Sequence, residues 1–434
     1  MIAVNSRRLD ASEETCDEVN MIEDQEPDNK STMEEIDSCD IKNNVIEVVH
    51  TIKPLTAMEY LCGIFKFKLV NGEILSPNKI MKMVALLFIF VYYATFLISL
   101  KAPAMKNDTD NMLRLINAVP SMVTLIHYLV SVIKASFASN LKYQNIITTL
   151  AELDQMILSN NFGDYYGKLR STTNKYVICL IITHIIHATI FMKTQTVYLM
   201  EMCNCHLYLF QKTELLGFCT LIAMVRSRLL VLNKYLSSFV QEQEKKNVKV
   251  FTVTERICAT QDKLNFIGRP SEKNYKIRDL STIYDTIGQV CDLVNDVFNF
   301  KLFFTVLSLF MYVIVTIWIS LYYYRSSDYD SNNMINVALC STSTILTLAC
   351  ISFACEQLLL ERKKSKILIN KVIMNYGLPK TMRVQAKAFM ELVESWSLRI
   401  FIYDMFSVDI TLMLKFISVS TTFLIVLIQI ANLI

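Results

Sequence analysis

An amide stands inside the last apolar stretch of the chain. The segment "TTFLIVLIQIANLI", Thr421 to Ile434, carries Gln429 near its end and Asn432 just beyond it. An unpaired amide costs about 2–7 kcal/mol in an apolar medium. Gln429 therefore either lies at an interface or faces water, whereas Asn432 reads simply as interfacial. Val426 and Ile430 are four apart and share one face of this helix. Lys415 lies earlier in it, where a lysine snorkels to the interface; turned toward a pore, it would oppose cations.

Other residues could bind a small molecule. His184 and His187 recur at i, i+3 in "HIIH". Zinc needs more ligands than this pair, so they are core histidines, or, for His187, a pocket residue. Cys203 and Cys205 have the C-x-C spacing of a metal or disulfide pair, but no second pair stands nearby to complete a site. Glu201, Asn204, His206, Gln211, Lys212 and Glu214 cluster at the head of an apolar run. Polar groups there wall a cavity or meet extracellular water. Trp318 and Tyr322 form an interfacial aromatic belt or a stacking surface for sugars and flat alkaloids. Ser341 and Thr342 offer hydroxyls, which in membrane helices often bond to a helix. No nucleophile-and-base pattern, phosphate loop or metalloprotease helix appears, so no enzyme, cofactor or metal is expected.

These residues ride on apolar runs long enough to span a bilayer, which takes about 18 or more residues. Seven spans are predicted, near 83–100, 115–132, 177–192, 207–225, 302–324, 337–355 and 410–430. The fold class is an all-α membrane protein, with residues 51–434 forming the seven-helix body. Residues 1–50 read as an acidic, disordered cytoplasmic tail, and the first residues lack the apolar core of a signal peptide. The formal net charge of +3 gives no case for a nucleic-acid partner.

Where the charges fall sets the orientation. Lys and Arg crowd the connections between spans two and three, four and five, and six and seven, the last holding "ERKKSK". The alternate connections carry few. The amino terminus is therefore expected inside and the carboxyl terminus outside, the reverse of a G-protein-coupled receptor. Asn107-Asp108-Thr109, a glycosylation sequon, then faces the lumenal side. The basic connections are themselves patterned. In residues 145–161, Ile146, Leu150, Leu153 and Ile157 share a helical face, and "LSTIYDTIGQVCDLVNDVF" and "AKAFMELVESWSLRIF" carry similar stripes. Spans four to seven would continue as amphipathic helices, packed into a cytoplasmic domain or, as the alternative, lying on the membrane surface.

Thr422-Phe423, five apolar residues and Gln429-Ile430 resemble the insect gustatory receptor signature, Thr-Tyr, five hydrophobics, Gln-Phe, with Phe423 and Ile430 departing from it. "FIYDMFSVDITLML" and "RLLVLNKYL" are similar to the stretches before the family's last helix and after its fourth span. The resemblance covers the chain from about Pro54. It implies a ligand-gated, non-selective cation channel of the plasma membrane of chemosensory neurons. Four subunits, alike or mixed with related receptors, would surround one pore. Thr422, Phe423, Val426, Gln429 and Ile430 would then be pore and gate residues, with the amides hydrated around the axis and apolar rings closing the path by dewetting. The ligand pocket would lie among the outer halves of spans two to six, with His187, Glu201, Asn204, Gln211, Trp318, Tyr322, Ser341 and Thr342 as candidates. A bitter or plant secondary compound is the expected tastant. A sugar is the runner-up, and a metabotropic receptor the remaining alternative.

Overall fold

The computed structural model of the protein describes the backbone of residues 29–70, 72–101, 108–137, 141–157, 162–194, 198–249, 273–325 and 331–433. Helices α1 (Asn29–Leu61), α2 (Lys79–Lys101), α3 (Asp108–Ser136), α4 (Leu141–Ile157) and α5 (Phe162–Thr194) are followed by α6 (Tyr198–Lys249), α7 (Lys273–Arg325), α8 (Ser331–Met374), α9 (Lys380–Ser395) and α10 (Ile410–Leu433). Two short antiparallel hairpins interrupt them. One pairs β1 (Lys68–Val70) with β2 (Glu73–Leu75), and the other pairs β3 (Phe401–Ile402) with β4 (Phe406–Ser407).

Among the described residues, α2, α3, α6, α7, α8 and α10 are each long and apolar enough to cross a bilayer. The third expected span falls in α5, a helix of 33 residues and so about 50 Å long. Its Ile178, Ile182, Ile185 and Ile186 are all more than half exposed, as on a helix that faces lipid. The protein is a helical, multi-span membrane protein.

Helices α6, α7 and α8, of 52, 53 and 44 residues, are about twice as long as a bilayer crossing requires. Beyond the spans they meet α4 and α9. The stripe Ile146, Leu150, Leu153 and Ile157 is buried in full, so α4 packs into a core rather than lying on a surface. Into the same core come Phe218 and Leu229 of α6, Tyr284 and Phe298 of α7, and Phe389 of α9. Val45, Val48 and Val49 of α1 are buried there too, although they precede the boundary at residue 50 expected for the tail. A buried ion pair fixes α6 to α4: Arg228 Nη2 donates to Asp154 Oδ2 at 2.5 Å, and the Tyr166 hydroxyl of α5 donates to the same oxygen. Burial pushes the Asp154 carboxyl up from its ordinary value, against the pull of Arg228 and Tyr166.

The last span departs from expectation. Spans four to six continue as unbroken helices, but α9 does not run into α10. Trp396 leaves the helix with extended backbone, φ −83 and ψ 97. Its indole packs against Gly288 of α7 so closely that a Cβ there would come within 2.5 Å of the ring. The indole Nε1 donates to Asp285 at 2.6 Å. Arg362 donates to the carbonyls of Trp396 and Val393 at 3.1 and 2.9 Å, satisfying acceptors that a helix end leaves open. The backbone N–H groups of Phe401 and Tyr403 donate to Asn295 and Asn299 of α7 at 2.9 and 2.6 Å. The β3–β4 hairpin is thereby stitched to α7 just before α10 begins.

Candidate functional site

Tyr208 and Lys212, four apart on α6, meet α5 and α8. The His187 ring stacks on Tyr208 with centroids 4.6 Å apart and planes 18° from parallel. The Lys212 ammonium lies 4.8 Å from the centre of the Tyr208 ring and donates to the Ser343 carbonyl at 3.3 Å and to Thr347 Oγ1. The hydroxyls of Tyr208 and Ser343 are hydrogen-bonded to each other. One turn earlier on α6, Cys205 Sγ is 3.8 Å from His184 Nε2. Cys203 turns elsewhere, 3.7 Å from Thr95 Oγ1 of α2, so the two thiols have different neighbours. This junction brings aromatic faces, hydroxyls and a cation together, bonded to one another.

Of the residues expected to line a pocket, His187 is in this junction. Ser341 and Thr342 lie just before Ser343 on α8, half-buried and exposed respectively. Gln211 is buried, and its Nε2 has no hydrogen-bond partner among the described residues. Asn204 and Trp318 are half-buried, and no contact joins Trp318 to the junction among the described residues. The side chains of Glu201, Tyr322 and Ile430, and the whole of Asn107, lie outside the described residues. Sequence reading missed Tyr208, Ser343 and Thr347. The signal for Tyr208 was present, because Cys205, Tyr208 and Lys212 repeat at i, i+3, i+7 in a run otherwise read for polarity alone.

Glu214, grouped by sequence with the vestibule residues, belongs to a different network. It is buried between helices, accepting from Ser131 Oγ of α3 at 3.1 Å and from Lys301 of α7, with His127 Nε2 at 3.5 Å. The His127 ring is packed among Phe210, Phe300 and Phe304. A second buried pair, Lys66 with Glu59 at 2.5 Å, has side chains 4% and 1% exposed. Buried charges are tolerated only when paired in this way. Beside them, His206 Nε2 faces the Leu61 carbonyl at 3.2 Å, so it carries the proton. Nδ1 then accepts from the Tyr92 hydroxyl, and the two rings stack at 5.5 Å.

Helix α10 is built otherwise. Asp409 caps its start, with Oδ1 accepting from the Thr411 N–H at 2.9 Å and Oδ2 from Ser407 Oγ at 2.9 Å. Burial works to raise this carboxyl, but the hydrogen bonds from Thr411 and Ser407 outweigh it and hold it below the usual carboxylate range. Beyond the cap, Phe416 and Phe423 make edge contacts with Phe310 of α7 at 6.1 and 5.4 Å. Thr422, Phe423, Val426 and Gln429 are all exposed, and the Thr422 hydroxyl donates to its own helix at Ser418 O, 3.0 Å away. Thr422, Val426 and Gln429 therefore share a face that their own subunit leaves bare, whereas Phe423 is turned toward α7.

A family model described as "7tm Chemosensory receptor" matches residues 60–433. The chain belongs to that family. The receptor's fold is similar to that of the insect olfactory receptor OR5 from Machilis hrabei, with a TM-score of 0.63 at 13% identity over 89% of this chain and 100% of that one. The structure of OR5 in complex with eugenol matches over the same shares, with a TM-score of 0.63 at 12% identity. A comparison with curated proteins gives no match. The family is one of receptors, not of enzymes.

Proposed function

We propose that the receptor is a gustatory one, a subunit of a non-selective cation channel opened by a tastant. Four copies, or copies mixed with related receptors, would gather in the plasma membrane of chemosensory neurons, with the amino terminus inside and the carboxyl terminus outside. The observation that carries this reading is the bare face of α10, with Thr422, Val426 and Gln429 all exposed. An exposed amide on a membrane helix is costly in lipid and acceptable beside water. Copies of α10 around an axis would give Gln429 that water and let Val426 and Ile430 close the path.

The α5–α6–α8 junction supports a reading of the tastant class. Stacked His187 and Tyr208 suit a flat ring, and Ser343, Thr347 and Lys212 suit its polar substituents. A plant secondary compound of phenolic or alkaloid type fits best, and the relative bound to eugenol is a phenolic precedent. A sugar is the second reading, favoured by the same hydroxyls. The test is to express the chain alone in cells without native G-protein coupling. Currents and calcium entry are then recorded against plant phenolics, alkaloids and sugars. Inward current with a plant compound is the expected outcome; sugar-evoked current selects the second reading. No current in these cells, with a response that appears only when a G protein is co-expressed and that carries no conductance, makes the receptor metabotropic and overturns the proposal. An epitope placed after Ile434 is expected to be reachable from outside the cell.

A further inference from the structure

A cavity of about 290 Å³ lies between α7 and α10, closed from below by the β3–β4 hairpin. Val306, Leu307 and Phe310 of α7, Phe406 of β4, and Lys415 and Val419 of α10 line it. Lys415 is the one lining residue that is not apolar. Phe303 and Tyr403 meet at its hairpin end, with ring centroids 5.6 Å apart, and Phe310 with Phe423 at the other, 5.4 Å apart. Phe406 and Val419 are 43% and 46% exposed, so the cavity opens at the helix surface.

Lys415 decides what fits. It is exposed and has no ion pair among the described residues. It stands five residues after Ile410, the first residue of α10, a rise of about 7.5 Å, where a lysine places its stem on apolar surface and its ammonium at headgroup level. The volume is too small for a neighbouring helix, which is about 10 Å across, but takes a hydrocarbon chain. We infer that this cavity binds one anionic phospholipid from the leaflet where α10 begins, with an acyl chain between α7 and α10 and its phosphate on Lys415. The bound chain wedges α10 against α7 above the hairpin. Lys415 shares a helical face with Thr422 and Gln429, seven and fourteen residues on; if that face lines a pore, as proposed above, the lipid sits at its inner end and occupancy biases opening.

The test uses the purified full chain, equilibrated with vesicles of phosphatidylcholine alone or mixed with phosphatidylserine, and lipid retention read by native mass spectrometry. The wild type is expected to retain phosphatidylserine over phosphatidylcholine by about fivefold, the preference that one lysine confers near a membrane surface. Lys415→Gln is expected to abolish that preference and Lys415→Arg to keep it. Leu307→Trp, which fills the cavity, is expected to remove the retained lipid. Equal retention of both lipids by the wild type, or an unchanged preference in Lys415→Gln, overturns the inference. So does a Leu307→Trp variant that keeps its lipid but changes oligomeric size, an outcome that assigns the cavity to a second copy of the chain. Lys415 is exposed, so its variants fold even where Leu307→Trp does not. Conductance is not measured, so failure here is distinct from failure of the channel reading.

Discussion

Helices α6 and α10 are both apolar and both long enough to span a membrane, yet they are used oppositely. In α6, 56% of the spanning window is buried within the subunit; in α10 the share is 11%. Helix α6 packs against α2, α3, α4, α5, α7 and α8 and carries the buried charges Glu214 and Arg228, each held by partners from other helices. Helix α10 touches α7 and α8 and offers a bare face. Apolar sequence alone is therefore ambiguous, because the same hydropathy serves the centre of one subunit or a surface that awaits lipid, water or another copy. On the channel reading proposed above, the difference should also separate what a mutation damages: in α6 the fold, in α10 the activity.

The sharpest test of that separation is Arg228→Ala. It leaves Asp154 buried without its cation and is expected to cost about 3–5 kcal/mol, read as a lower thermal midpoint in detergent and loss of surface expression. Near-normal stability would remove the distinction between the two helices. Gly288→Ala comes next. The new methyl group would collide with Trp396, at a cost of about 1–3 kcal/mol for overpacking. It would also loosen the hairpin that sets α10, so evoked current should fall further than stability explains.

Asp409→Ala removes the cap of α10 and should cost about 1 kcal/mol. The folded value of this carboxyl is depressed, so its contribution is complete above the unfolded value of about 3.9. It is lost as pH falls through the folded value. Acid titration of the thermal midpoint should show this loss in the wild type and not in the variant. Gln429→Leu has the smallest expected effect on stability, within about 0.5 kcal/mol, as for surface substitutions away from buried features. Evoked current should nevertheless collapse. A stable variant with unchanged current would break the link between the bare face and conduction.

Much of the fold was legible in the residues. The apolar runs located six spans and part of α5, because hydrocarbon leaves a spanning backbone few options beyond the helix. The stripe of α4 was legible because burial on one side imposes a helical period. The α9–α10 break was not. It depends on Trp396 meeting Gly288, more than a hundred residues away, and on Asn295 and Asn299 accepting from the hairpin backbone. No local pattern encodes such pairings. At the α5–α6–α8 junction, His187 stands out by type and spacing, while Ser343 and Thr347 became visible only when α8 was laid beside α6.

By itself, then, the sequence determined that the chain spans a membrane as helices, that its basic connections fold into amphipathic elements, and that its last helix bears an amide among apolar residues. These are consequences of composition and of a period along one segment. Tertiary structure decided which charges are paired, which rings stack, and that α10 stands apart from the core while α6 forms it. Those outcomes depend on which surfaces come within a few ångströms of each other, and distance along the chain does not fix distance in space.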